Sequence, residues 1–186
     1  YWALPYVTGG SNFAVGTFAA GGRTTSGSHN IVLGNNSGFN LGGGGDNIFL
    51  GRSSGYEINN GSYNVVVGSE AGRHIDEGVS GNTFIGRRAG YNLDGNNNTI
   101  IGSMEFSANT TVNGQISIGA GTTERFRVEP DGDVIIKTND VALSGSGTLR
   151  VNSGSTAGSL NLDGGATNHG GEINLFGGSN GGRIIF

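Results

Sequence analysis

The residues of this chain with the most chemistry to offer are its carboxylates. Glu57, Glu70, Asp76, Glu77, Asp94 and Glu105 all fall between short apolar phrases, on segments that read as loops. Glycoside-cleaving proteins use a pair of such groups roughly 5 to 9.5 Å apart. An acidic repeat chain offers pairs of that kind by chance, and no pair here is set apart by its spacing, so no catalytic residue is assigned. His29, His74 and His169 are too few and too scattered to define a metal site, although three copies of one His around an axis could meet at a metal. Gly42-Gly43-Gly44-Gly45-Asp46 resembles part of a calcium-binding nonapeptide, but Leu41 stands where that motif needs its first Gly and no other coil repeats it. There is no Cys, hence no thiolate or disulfide chemistry. No cofactor and no metal are expected.

Binding chemistry is more regular. Phe39, Tyr56 and Tyr91 recur at one position of a repeat, with Arg73 at the same position between the tyrosines. Exposed, they would form an aromatic stripe able to stack on sugar rings, and these four are the candidate receptor-binding residues. The competing reading packs them over Leu41, Ile58 and Leu93 as part of a second small core, and packing is favoured. Arg52, Arg73, Arg87 and Arg88 lie near coil corners, where they could meet anionic glycans or form a solvated rim.

What must position these residues is a repeated phrase: a polar residue, three mostly apolar residues, then Gly. It occurs as 12–16, 30–34, 47–51, 64–68, 82–86, 98–102 and, degenerately, 115–119, with starts 18, 17, 17, 18, 16 and 17 residues apart. One strand-like phrase per constant period marks a solenoid in which each repeat is one coil. A second phrase follows each strand: Gly34-x-x-Ser37-Gly38, Gly51-x-x-Ser54-Gly55, Gly68-x-x-Ala71-Gly72 and Gly86-x-x-Ala89-Gly90. Its small residue points to a place inside the roll where only Ser or Ala fits, and its glycines to bends or close backbone approach. The pairs Phe39/Leu41, Tyr56/Ile58, Arg73/Ile75 and Tyr91/Leu93 then have strand spacing, so two short strands per coil are expected.

The first strand is apolar on both faces, which implies burial on both. A thin roll can cover only one, so another chain must cover the other, and the middle residues Val32, Phe49, Val66, Phe84 and Ile100 are assigned to the interface of a homotrimer. Composition agrees with a thin core. Of 186 residues 39 are Gly and only 34% are hydrophobic, and oligomerisation is the usual remedy for so little to bury. The net charge of −4 with no basic run argues against nucleic acid. Apolar runs of about four residues argue against membrane insertion by a helix, which needs about 20. The chain opens on Tyr1 rather than Met, as a fragment or processed product would.

Three regions follow: a lead-in over 1–10, the repeat roll over 11–120, and a C-terminal region over 121–186. In the last, Glu124 to Ile136 alternates apolar and polar residues about Pro130-Asp131-Gly132-Asp133, a hairpin signal. Short strand phrases at 141–143, 149–151, 160–162, 173–176 and 183–186 would interweave around a common axis. The fold class expected is all-β: a parallel β-roll with coils of about 17 residues, trimeric, followed by the hairpin and interwoven strands.

The general phrase G-S-x-N-[IVFT]-[VFI]-[LVI]-G-x-x-[SA]-G resembles two related groups of proteins. One is the head of trimeric autotransporter adhesins, a left-handed parallel β-roll with three chains side by side. The other is the distal region of bacteriophage tail fibres and spikes with such repeats, which the segment 124–134 and the later Gly-rich strands also resemble. The period here is longer than that of the adhesin heads, which favours the phage group. The resemblance implies a homotrimeric, non-enzymatic fibre segment located in the virion, with other tail proteins and a host-surface glycan or protein as partners. The alternatives are a bacterial surface adhesin head and a polysaccharide-depolymerising spike, which turnover of a host glycan would reveal. No regular Thr-x-Thr ladder, as an ice-binding solenoid would need, runs up the coils.

Overall fold

In a computed structural model the described residues are 3, 8–74, 78–120 and 123–136. Among them every element is a strand, and the architecture is the expected parallel β-solenoid. Strands β1 (Phe13–Val15), β2 (Ile31–Leu33), β3 (Ile48–Leu50), β4 (Val65–Val67) and β5 (Thr83–Ile85) are followed by β6 (Tyr91–Asp94), β7 (Thr99–Ile101), β8 (Glu105–Thr111), β9 (Ile116–Ala120), β10 (Thr123–Val128) and β11 (Val134–Ile136). One nine-stranded sheet runs β1-β2-β3-β4-β5-β7-β9-β10-β11, and β6 pairs with β8 in a second, two-stranded sheet. The seven repeat strands are parallel and in register, Phe13 beside Ile31, then Ile48, Val65, Thr83, Thr99 and Ile116. Each step up the sheet is one coil.

Local sequence explains why each strand is so short. β-branched and aromatic residues favour the extended run, and the Gly that follows stops it. Gly34, Gly51, Gly68 and Gly86 have φ between 131° and 136°, and a Cβ on any of them would lie within 2.6 Å of the next coil's carbonyl oxygen. Only Gly both turns there and lets the backbones stack. At the other end, the residue before each Asn has positive φ, 57° to 62° at Ser11, His29, Asp46, Tyr63 and Asn97 and 73° at Gly81.

The middle residue of each strand points into the roll. Val32, Phe49, Val66, Phe84 and Ile100 are at most 1% exposed within a single chain. This corrects their assignment to an interchain interface: they form the core of the roll, because the return half of each coil folds back over that face. Leu41, Ile58 and Leu93 meet them from the opposite wall, fully buried, and the small column Ala19, Ser37, Ser54, Ala71 and Ala89 fills the corner. Large and small alternate along the axis. Phe49 sits between Val32 and Val66 and Phe84 between Val66 and Ile100, and a Cβ on Gly55 or Gly90 would come within 3 Å of their rings.

Among the described residues, two strands per coil form only near the end of the roll, where β6 pairs with β8. Elsewhere the second half of the coil is a series of turns, because Asn36, Ser53 and Glu70 and then Gly38, Gly55 and Gly72 all have φ between 51° and 60°. The chain also turns through the pairs themselves, Leu41 N–H donating to the Gly38 carbonyl and Ile58 N–H to the Gly55 carbonyl, so Phe39/Leu41 and Tyr56/Ile58 are split: the second member is buried and the first stays half-exposed, where a strand would have put both on one face. The hairpin forms as the Asp-Gly signal predicts, with Phe126 opposite Ile136 and Val128 opposite Val134. β10 also pairs antiparallel with β9, so the hairpin extends the roll's own sheet. The strand phrases after residue 136 lie outside the described residues.

Candidate functional site

The Asn that opens each repeat is structural. From coil to coil, its side-chain oxygen accepts the next Asn's backbone N–H at 2.9 to 3.0 Å, from Asn12 through Asn30, Asn47, Asn64 and Asn82 to Asn98. Asn98 passes the same bond to Gln115. The side-chain N–H of Asn30, Asn47, Asn64 and Asn82 donates both to the preceding Asn oxygen and to a carbonyl on the turn before the next strand (Gly44, Gly61, Val79 and Gly95). An amide carries donors and an acceptor on one short stem, so it repeats identically at every level; no carboxylate could. The polar character of this position was visible in the sequence, but its interior location was not.

The candidate receptor-binding residues do line up along the roll. Phe39 and Tyr56 stack with ring centroids 4.9 Å apart and planes 6° from parallel. The Arg73 guanidinium lies 5.5 Å over Tyr56. The Arg88 guanidinium lies 5.3 Å over Tyr91, and the His74 ring meets Tyr91 at 86°. Rings stacked along the axis present their edges outward and use their faces on neighbouring coils. Sugar stacking needs a free face, so the stripe as arranged is chiefly intercoil packing.

Beside it runs an ion-pair network. Glu70, nearly buried, accepts from Arg52 at 2.6 Å and from Arg88 at 2.7 Å, and Arg73 lies 3.7 Å away. Arg88 continues to Glu105 at 3.0 Å. The hydrogen bond from Arg88, then that from Arg52, holds the Glu70 carboxyl down at about 2 against an ordinary 4.5. Glu57 bonds His74 at 3.1 Å, and Arg87 projects into solvent. Glu70 and Glu105 are thus bound to arginines across coils, Glu57 is bonded to His74 and Asp94 is buried; Asp76 and Glu77 lie outside the described residues. Among the described residues no three His, Cys, Asp or Glu side chains gather as a metal site would need. The Gly42–Asp46 segment is likewise tied to its neighbour: Gly42 N–H donates to the Asn59 carbonyl and Gly45 N–H to Ser62 Oγ.

The outward face of the large sheet has another character. Strand residues flanking the buried middle form two columns, apolar except for Thr83 and Thr99 in the first. The first runs Phe13, Ile31, Ile48, Val65, Thr83, Thr99, Ile116, and the second Val15, Leu33, Leu50, Val67, Ile85, Ile101, Ile118. Both continue onto the hairpin, through Val128 and Val134 and through Phe126 and Ile136. Phe13, Val15, Val134 and Ile136 are each at least half exposed, Ile31, Ile85, Ile101, Ile116 and Ile118 are exposed to a lesser degree, and the remaining members are intermediate. The inward column does not continue in kind. After Ile100 it becomes Ser117 and then Arg127, and Ser117 Oγ bonds Glu124 at 2.8 Å, with Gln115 on Ser117. The roll's interior closes on a polar plug while its outward face stays apolar. The motif of paired outward apolar residues was legible in the sequence; that these, and not the middle residues, are the surface left uncovered was not. A comparison of the chain with protein-family models, with curated proteins and with solved structures finds no match in any of the three.

Proposed function

We propose that this chain is a structural segment of a bacteriophage tail fibre, a non-enzymatic rod made of three copies of itself that bears or supports host-receptor recognition. The observation that carries the reading is the outward apolar face. One of its two columns runs unbroken over nine strands, about 40 Å at the spacing of a sheet, and the other is interrupted only by Thr83 and Thr99. The face persists where the interior has already turned polar. A contiguous apolar patch of that reach on a soluble chain marks an interaction surface, and a face this uniform along the axis fits other copies of the same repeat, three of which can enclose an axis.

The rest of the roll supports a scaffold. Its buried amides and small hydroxyls are engaged in coil-to-coil bonds, and its nearly buried carboxylate Glu70 is held by arginines. Recognition of a host glycan or protein then belongs to the exposed turns, the parts of such a rod free to vary. Two measurements test the reading. Light scattering of the purified protein should give three times the chain mass, and a folded monomer at micromolar concentration would end the assembly claim. Incubation with host envelope should give binding without release of oligosaccharide; release would make the protein a depolymerase.

A further inference from the structure

The outward face has two unlike long edges. The residues just before the strand form one edge, including His29, Asp46 and Tyr63; those just after its closing Gly form the other, including Asn35, Arg52 and Arg87. Asp46 carries the negative charge of the first edge and is half exposed, with His29 Nδ1 3.9 Å away. Arg52 is 58% exposed at its side chain and is steadied by Glu70 through one nitrogen, leaving other donors of its fork for a partner. The two belong to the same coil but stand at opposite ends of an extended strand, on the order of 15 to 20 Å apart, and cannot meet within one chain.

Resting on the self-assembly reading above, we infer that the copies lie parallel and in register, coil beside the same coil, so that Arg52 of one chain pairs with Asp46 of the next. Rotation about an axis along the roll, with the apolar faces turned inward, brings the first edge of each copy to the second edge of its neighbour at the same level. An antiparallel pair would instead bring like edges together, Asp46 toward Asp46 and Arg52 toward Arg52. The apolar columns are nearly uniform from coil to coil and so barely distinguish one register from another. The charges do so among near registers: sliding by one coil sets Arg52 against His29 or Tyr63, and an arginine, Arg87, returns to Asp46 only after a two-coil slide that leaves two coils uncovered at each end. Charge pairs of this kind fix register and exclude wrong partners more than they add affinity.

The chain has no native Cys, so introduced thiols report directly. A disulfide requires Cα atoms within about 7 Å, which excludes a bridge within the chain. The expected result for Asp46→Cys/Arg52→Cys under mild oxidation is a covalent series on non-reducing electrophoresis that stops at the trimer. His29→Cys/Asn35→Cys, one coil away and clear of the Glu70 network, should behave alike, and each single variant should remain uncrosslinked. Covalent dimers from the single variants would mean like edges meet and would overturn the parallel register while leaving self-association standing. A trimer by light scattering in which neither double variant crosslinks would overturn the edge pairing alone. A series that stops at the dimer would keep the pairing and overturn the threefold reading, and a monomeric parent would overturn both.

Discussion

At the scale of single residues, the interior amide ladder does what a globular protein assigns to a large core. Asn64 is fully buried; its oxygen receives two donors from Asn82, and its amide donates to Asn47 Oδ1 and the Val79 carbonyl. Truncating it leaves buried groups unpaired on both sides, at about 1 to 3 kcal/mol each. Asn64→Ala is therefore expected to lower unfolding stability by at least about 3 kcal/mol in a denaturant titration. Asn64→Asp, nearly the same shape, should do no better, since it loses both donors and sets a carboxylate beside the Asn47 oxygen. An Asp variant as stable as the parent would show that the ladder matters less than its geometry indicates. The glycine column is equally intolerant. Gly68 has φ 135° and a Cβ there would stand 2.3 Å from the Gly86 carbonyl oxygen, so Gly68→Ala should part the two coils and expose the backbone amides above and below to fast hydrogen exchange.

At the scale of the coil, one acid links three levels of the roll. Because the folded Glu70 carboxyl sits at about 2 and an unfolded one at 4.5, the network's contribution is fully present above pH 4.5 and is lost as pH falls toward 2. Glu70→Gln should lower the melting temperature at neutral pH and flatten its fall through that acid range; a variant with the parent's slope would show that other carboxylates carry the acid response. Much at this scale was legible beforehand. The period, the parallel stacking, the small-residue corner and the Asp-Gly hairpin follow from local sequence, because each repeats or obeys a short-range turn rule. Two things were not. Phe39 and Leu41 have strand spacing, yet a turn closed by Leu41 N–H on the Gly38 carbonyl buries the second and leaves the first half-exposed, and spacing alone does not report a turn. A strand apolar on both faces, such as Val65–Val67, does not report which face its own chain covers. That depends on where the return half of the coil folds, a tertiary fact.

At the scale of the whole molecule, the two faces of the sheet make separable predictions. Phe49 fills the interior at 0% exposure, while its neighbour Leu50 lies on the outward face. Charge placed inside the roll has no partner and no water, so Phe49→Asp should prevent folding at any concentration; even Phe49→Ala should cost about 3 to 5 kcal/mol through the cavity it leaves. Charge placed outside can stay hydrated in a lone chain and becomes intolerable only when another chain covers it. Leu50→Asp combined with Val67→Asp is therefore expected to retain the parent's β-type circular dichroism while shifting the mass in solution from assembly to monomer. The chain's two kinds of apolar residue then separate cleanly: one column for making a coil, two for joining copies. If the double variant assembles as the parent does, the outward face is not the joining surface. If it unfolds outright, the roll cannot stand without its neighbours, and the distinction should reappear in the milder pair Leu50→Ser and Val67→Ser as a fall in assembly at dilution before any loss of strand signal.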